Sequence, residues 1–131
     1  MAKRVFVFGS NEAGIHGAGA AKYAYEKKGA RYGFSYGQSG DSFAIPTKDE
    51  RIQTLPLENV TAYVYGFLAY AIGRRKLTFQ ITRIGCGLAG FKDEQIAPLF
   101  AGAPKNCLFD EAWRPWLGDT VSYWGTFNDI S

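Results

Sequence analysis

The chain is poor in the residues from which metal and disulfide chemistry is built. Its 131 residues include two cysteines, Cys86 and Cys107, and one histidine, His16. The cysteines lack metal-ligand spacing, and one histidine completes no zinc set unless carboxylates join it from elsewhere, so no metal is expected. We expect both thiols to be reduced, as in a cytoplasmic protein. No apolar run reaches membrane-spanning length. At the N-terminus, MAKRVFVFGS places basic residues before an apolar stretch too short for a secretory signal. Charge of one sign is scarce as well. The net charge is +3, and the cations are scattered except for Lys27, Lys28 and the triplet Arg74, Arg75, Lys76, neither of which makes a duplex-binding stripe. The triplet follows an apolar helical pattern and Gly73, and reads as a solvated helix end that complements the dipole. A mild attraction for small anions is left. There is no tandem repeat and no low-complexity tract.

Glycine and aromatic residues are what the chain has in quantity: 16 glycines, and 16% aromatic residues within an apolar content of 47%. That composition and length describe one domain, residues 1–131, with a core large enough to need no covalent staples. Several aromatics gather near the end, at Trp113, Trp116, Tyr123, Trp124 and Phe127. They form either core and edge packing or a stacking wall for a ring.

The glycines are placed unevenly. From Arg4 to Ala24 the sequence reads as a buried strand (Val5, Phe6, Val7, Phe8), a glycine-studded loop (Gly9, Gly14, Gly17, Gly19) and the start of a close-packed helix (Ala18, Ala20, Ala21, Tyr23). Such a turn brings bare backbone N–H groups and a helix N-terminus to one place, which suits a phosphate; a tight strand-to-helix turn with no ligand reads the same way. Standard nucleotide loops fit poorly. Ala20 follows Gly17, Ala18 and Gly19 where a Walker loop has Lys and Ser or Thr, and no acidic residue ends a second strand roughly twenty residues on, as the dinucleotide fingerprint requires. Asn11 and Glu12 at the strand's end are unusual. An amide there is placed to bond a sugar hydroxyl, although Asn is also an ordinary turn residue.

Further along, the helix is expected to fade at Lys28 and Gly29, and Ala30 to Asp41 to form a loop or hairpin. Ser42 to Pro46 reads as a second buried strand, with Thr47, Lys48, Asp49, Glu50 and Arg51 breaking out at its end. Leu57 to Tyr70 reads as a helix begun by Pro56, with Val60, Val64, Phe67, Leu68 and Ala71 at helical spacing. Leu77 to Ile84 is the clearest central strand, and it runs into a second glycine loop from Gly85 to Gly90. In parallel strands two such loops fall on one sheet edge and can grip one ligand from both sides. Lys92 to Phe100 is expected as a helix, Asn106 to Phe109 as a strand, and Val121 to Trp124 as an edge strand within turns. This alternation predicts an α/β/α sandwich with a mainly parallel sheet.

The order of these motifs resembles the macrodomains, the ADP-ribose-binding fold, and within them the branch of glycohydrolases that act on ADP-ribosylated DNA and acidic side chains. FGSNEAGIHGAGAAKYA (Phe8 to Ala24) resembles that branch's strand, Asn and glycine loop; FAIPTKDE (Phe43 to Glu50) resembles its strand ending in a Thr-Lys step. ITRIGCGLAGF (Ile81 to Phe91) resembles its second phosphate loop and is the most specific match. The similarity covers roughly the first hundred residues.

The resemblance implies a macrodomain-like sandwich that binds ADP-ribose or a related NAD-derived nucleotide, without a cofactor, and that removes ADP-ribose from DNA or protein. It implies a ligand contact from Gly9, Ser10 and Asn11, with Asn11 beside C1″ of the distal ribose, and from Gly14, Ile15, His16, Gly17, Ala18 and Gly19. Thr47 and Phe91 are implied as ligand contacts too, the loop of Gly85, Cys86, Gly87, Leu88, Ala89 and Gly90 would wrap the diphosphate, and Asn11 joins Lys48 as a catalytic residue. Lys48 matches the catalytic lysine, whose attack at C1″ requires the free amine and hence burial or a neighbouring cation; the residue also reads as a plain positive charge near the diphosphate. Two departures stand out. Ala89 replaces an acidic residue of that branch, for which Asp49, Glu12 or Asp93 is a possible substitute. The usual first strands, with an Asp for the adenine amine, are missing before Arg4, which leaves the tail around Trp113, Trp116 and Trp124 to rebuild the adenine edge. A binder without catalysis, or a partner-binding module that has lost its ligand, are the rival readings.

Overall fold

A computed structural model describes residues 3–127 of the chain. It begins with β1 (Lys3–Asn11), whose side chains serve two layers at once. Val5 and Val7 enter the larger core cluster, while Phe6 and Phe8 enter a smaller one on the opposite face. A strand apolar at consecutive positions has to be covered on both sides, and here it is. Helix α1 (Gly19–Lys27) lies over the Phe6 face with Gly19, Ala21 and Ala24 buried, small residues that let the helix approach the sheet closely.

The segment after α1 forms the hairpin arm β2 (Gly37–Ser39), antiparallel to β3 (Ser42–Lys48). Thr47 and Lys48 therefore belong to the strand rather than breaking out of it. The pairing of β1 with β3 slips at its end: Ser10 faces Pro46, but Asn11 faces Lys48, leaving Thr47 as the extra residue of a bulge. Pro46 fits within β3 because β2 has stopped pairing by Ala44, so no ladder bond is lost there.

Helix α2 (Leu57–Ile72) follows Pro56, with Val60, Val64, Phe67 and Ala71 forming one buried stripe against the other face of the sheet. Burying Phe67 alone is worth about 2 kcal/mol. Strand β4 (Leu77–Ile81) pairs in parallel with β1. It ends three residues before the expected Ile84, because both the backbone N–H and the hydroxyl of Thr82 donate to the Val7 carbonyl (3.1 and 2.8 Å), and the chain then turns.

The helix expected over Lys92 to Phe100 is split. It opens as α3 (Asp93–Ile96) and tightens to 3₁₀ geometry from Ala97 to Phe100, where Pro98 has no N–H to give to an α-type bond. Strand β5 (Cys107–Asp110) is followed by a 3₁₀ turn (Glu111–Trp113) and α4 (Arg114–Leu117), helical turns that the sequence reading did not separate from loop. Strand β6 (Ser122–Gly125) closes the sheet.

The six strands run in the order β2-β3-β1-β4-β5-β6, all parallel except β2. With α1 on one face and α2 and α3 on the other, the architecture is a three-layer α/β/α sandwich with a mainly parallel mixed sheet. From β1 the chain crosses to β3 on one side, then over to β4 and β5 on the other. The switch between β1 and β4 opens a crevice at the carboxyl ends of the strands. Among the described residues, no helix is long and apolar enough to cross a membrane.

Candidate functional site

A cleft of about 270 Å³ occupies that crevice, lined by the ends of β1 and β3, the start of α1 and the chain after β4. Most of the residues expected from the sequence meet there: Gly9, Ser10, Asn11, Ile15, Gly17, Ala18, Thr47, Lys48, Gly85, Cys86, Gly87, Leu88 and Ala89 all line it. Gly14, His16, Gly19, Gly90 and Phe91 do not. The lining also includes Ala20, Ala21, Ile52, Thr82, Arg83, Ile84 and Phe127, which were not singled out as ligand contacts.

The bulge brings the two residues of greatest chemical interest side by side, with Asn11 opposite Lys48. The Asn11 amide donates to the Ile15 carbonyl at 2.8 Å and accepts from the Ile15 N–H at 3.0 Å, so it shapes the first loop. One N–H and one acceptor site of the amide are left over. The Lys48 ammonium makes no ion pair among the described residues.

The glycines of the first loop divide into two kinds. Gly14 has a φ of +72°, and a Cβ there would lie 2.5 Å from the Gly33 carbonyl carbon, so it is glycine because two stretches of backbone cross. The Gly33 N–H donates to its carbonyl at that crossing. Gly17 is different. Its φ is outside the left-handed region, a Cβ would meet only the Ile15 methyl at 4.0 Å, and it is exposed at the cleft. Nothing in the fold requires a glycine at that position, and bare backbone beside a cleft is what a closely approaching ligand needs.

His16 is buried beneath this loop rather than in the cleft. Its Nε2 lies 2.9 Å from the Arg31 carbonyl, its ring meets Phe8 edge-on, and Nδ1 makes no hydrogen bond among the described residues. Burial pushes its pKa down, so the neutral ring donates to Arg31 and pins the loop.

On the second loop, Gly85 takes a φ of +76° and packs under Phe91, whose ring would lie 3.1 Å from a Cβ at that position. Gly9 gives β1 room to pass this loop, with the Gly85 nitrogen 3.3 Å from where its Cβ would be. Cys86 lines the cleft, but burial, with the Asp93 carboxylate nearby, pushes its thiol up to about 12. It is a protonated, poorly nucleophilic group.

The start of α1 contributes polarity without side chains. Its N-cap is Ala18, which provides no side-chain acceptor, and the first intrahelical bond runs from the Lys22 N–H to the Ala18 carbonyl. The N–H groups of the first turn therefore lack intrahelical acceptors, and Ala18, Ala20 and Ala21 line the cleft.

None of the proposed acidic substitutes enters the lining. Glu12 accepts from the Tyr63 hydroxyl at 2.6 Å; Asp49 accepts from the Arg51 and Gln53 N–H groups; Asp93 pairs with Arg83 at 2.7 and 2.9 Å and accepts from the Trp113 indole at 2.8 Å. Among the described residues, Lys48 and Arg83 are the charged residues of the cleft wall.

The aromatic tail is also redistributed. Trp113 is fully buried in the larger core, Trp124 donates to the Ile81 carbonyl, and Trp116 is exposed away from the cleft lining. Phe127 alone of that group reaches the cleft, packed on Phe6 and Tyr23. It is held by the buried Asp110, which accepts from the Thr126 hydroxyl at 3.1 Å and from the Phe127 N–H at 3.2 Å. Sequence reasoning passed over Asp110 because an acid at the end of a strand gives no sign of what it will fasten. Comparison of the chain with models of protein families, with curated proteins and with solved structures returns no match.

Proposed function

We propose that the chain binds ADP-ribose or a closely related NAD-derived nucleotide in this cleft. One observation carries the reading: an unpaired Lys48, a needlessly bare Gly17 and an uncapped helix start face one crevice whose lining, among the described residues, contains no carboxylate. Such a lining attracts a phosphate-bearing ligand and repels nothing anionic. In this reading the diphosphate lies between the start of α1 and the loop after β4. The distal ribose meets Asn11 and Lys48, at the paired ends of β1 and β3, and the adenine lies toward Phe127, whose ring packs on Phe6 and Tyr23.

That no carboxylate stands among the described residues of the lining favours binding over turnover. With Glu12, Asp49 and Asp93 all engaged outside the lining, Lys48 has no acidic partner for hydrolysis among the described residues. A thermal-shift panel of ADP-ribose, NAD and AMP tests the binding. At one hundred times the dissociation constant a ligand stabilises by about 2.7 kcal/mol, a readily measured shift. No shift with any of the three overturns the proposal. Release of ADP-ribose from modified DNA or protein by the parent, abolished by Lys48→Ala and not restored by Lys48→Arg, would add hydrolysis to binding, because arginine does not deprotonate in proteins.

A further inference from the structure

The outer face of α2 has the composition of an inner one. Glu58 is the single charged residue of the helix, and Val60, Val64, Phe67 and Ala71 already fill the stripe against the sheet. The opposite side of a surface helix carries polar residues for water. Here it carries Ala62, Tyr65, Ala69 and Ile72, all exposed, with Tyr65 at 57% and Ile72 at 56%. Helix α1 gives the contrast within the same chain, since its exposed positions include Lys22, Glu26 and Lys27. A helix that is apolar on every side is a buried one. Gly66 lies on the same face but is explained by the fold, because a Cβ there would collide with the Tyr36 hydroxyl.

Charges stand at the two ends of this strip, and their signs differ. Glu58 lies in the first turn, whereas Arg74, Arg75 and Lys76 follow the last, all four exposed and none in an ion pair among the described residues. The basic turn is fastened from below. The Asn106 amide donates to the carbonyls of Ala71, Arg74 and Leu77 at 3.1, 3.0 and 3.1 Å, and the Arg74 guanidinium lies over the Tyr70 ring. We infer that this face is a self-association surface, on which a second copy of the chain packs its own α2 antiparallel across a two-fold axis. Turned end for end about an axis beside Tyr65 and Gly66, the strip is its own complement: Ala62 meets the partner's Ala69, and Glu58 meets the partner's basic turn, twice over. A parallel copy would set like charges together at both ends. None of Ala62, Tyr65, Ala69 and Ile72 lines the cleft, so the pairing stands or falls apart from the nucleotide reading.

Sedimentation velocity on the full chain tests this. The helix makes a strip roughly 24 Å long, toward the small end of specific interfaces, so a dissociation constant of about 10 μM is expected. The parent should then be mainly dimeric at about 100 μM and mainly monomeric at about 1 μM. Ala69→Glu puts a good helix former at the middle of the strip and should raise the dissociation constant at least about tenfold, because a carboxylate would be buried there without a partner. At about 1 μM, where the parent is monomeric, its melting temperature should stay within about 2 °C of the parent's, which separates a lost contact from a lost fold. The charges give a second arm. Glu58→Lys alone, and Arg75→Glu with Lys76→Glu alone, should each weaken the dimer at least about tenfold, yet an equimolar mixture of the two should associate within about threefold of the parent, since both ends then join opposite charges. A parent that stays monomeric at about 100 μM overturns the inference, as does a dimer that Ala69→Glu leaves intact. A mixture no more associated than its two components overturns the antiparallel pairing, and the inference with it.

Discussion

Single residues in this protein are often committed to more than one task, and Asp93 is the clearest case. Burial pushes its carboxyl up, but hydrogen bonds from Arg83 and Trp113, with the Arg83 charge, outweigh burial and hold the pKa below the ordinary 3.8. A depressed carboxyl stabilises the fold above its unfolded-state pKa and loses that contribution as pH falls through the folded value. Acid unfolding of the parent should therefore steepen below about pH 4, where Asp93→Asn should show a flatter limb. At neutral pH the variant should cost about 2 kcal/mol, as expected for charged hydrogen bonds on partly buried groups. Equal acid limbs in parent and variant would show that the pair does not contribute. Cys86 gives a second prediction at this scale. With its thiol pushed up to about 12, it should alkylate with iodoacetamide at pH 8 far more slowly than a free cysteine, whose ordinary value is 9.0. Rapid labelling of Cys86 in the folded protein would contradict that environment.

At the scale of elements, what was legible in the sequence follows from which physical signal specifies each piece. The β1 core, β3, α2 and β5 are set by apolar periodicity, a property of the local sequence, and they form near where that pattern places them, β3 running two residues past the expected Pro46 to Lys48. The end of β4 is set instead by a tertiary bond, from Thr82 to the carbonyl of Val7 seventy-five residues away. Trp113 and Phe127 were indistinguishable as aromatics, and only the folded chain sends one to the core and the other to the cleft. The glycine loops show the same division. Glycine frequency alone fits a ligand cradle and a tight turn equally, yet Gly14 is required by a backbone crossing and Gly17 by nothing in the fold. That contrast is testable within one loop. Gly14→Ala should cost about 3 kcal/mol, because it adds both a clash with the Gly33 backbone and left-handed strain. Gly17→Ala should leave stability within about 0.5 kcal/mol and weaken ADP-ribose binding at least about tenfold by filling the space of close approach. Chemical denaturation and calorimetry on the pair separate the roles; a Gly17→Ala variant that binds normally would take the ligand away from the first loop.

For the whole molecule, the strand order decides how long a ligand the site can take. Lys48 ends β3 and Phe127 follows β6, so the cleft wall draws on chain from both sides of the central β1 and β4 pair. A sandwich with its crossovers switching between β1 and β4 leaves that upper edge open, and among the described residues no hydrogen bond or ion pair joins Lys48 to Phe127. A single ligand spanning the crevice should therefore report the two ends independently. Phe127→Ala should weaken AMP and ADP-ribose by a similar factor, about 1 kcal/mol for a lost stacking surface, while Lys48→Ala should weaken ADP-ribose and ribose 5-phosphate far more than AMP. In the double variant the losses for ADP-ribose should add within about 0.5 kcal/mol, as for sites without shared partners. A double variant no worse than the poorer single one would mean that one end of the nucleotide never occupies the cleft. The assignment of adenine to Phe127 and of the ribose to Lys48 would then fall, even with tight binding retained.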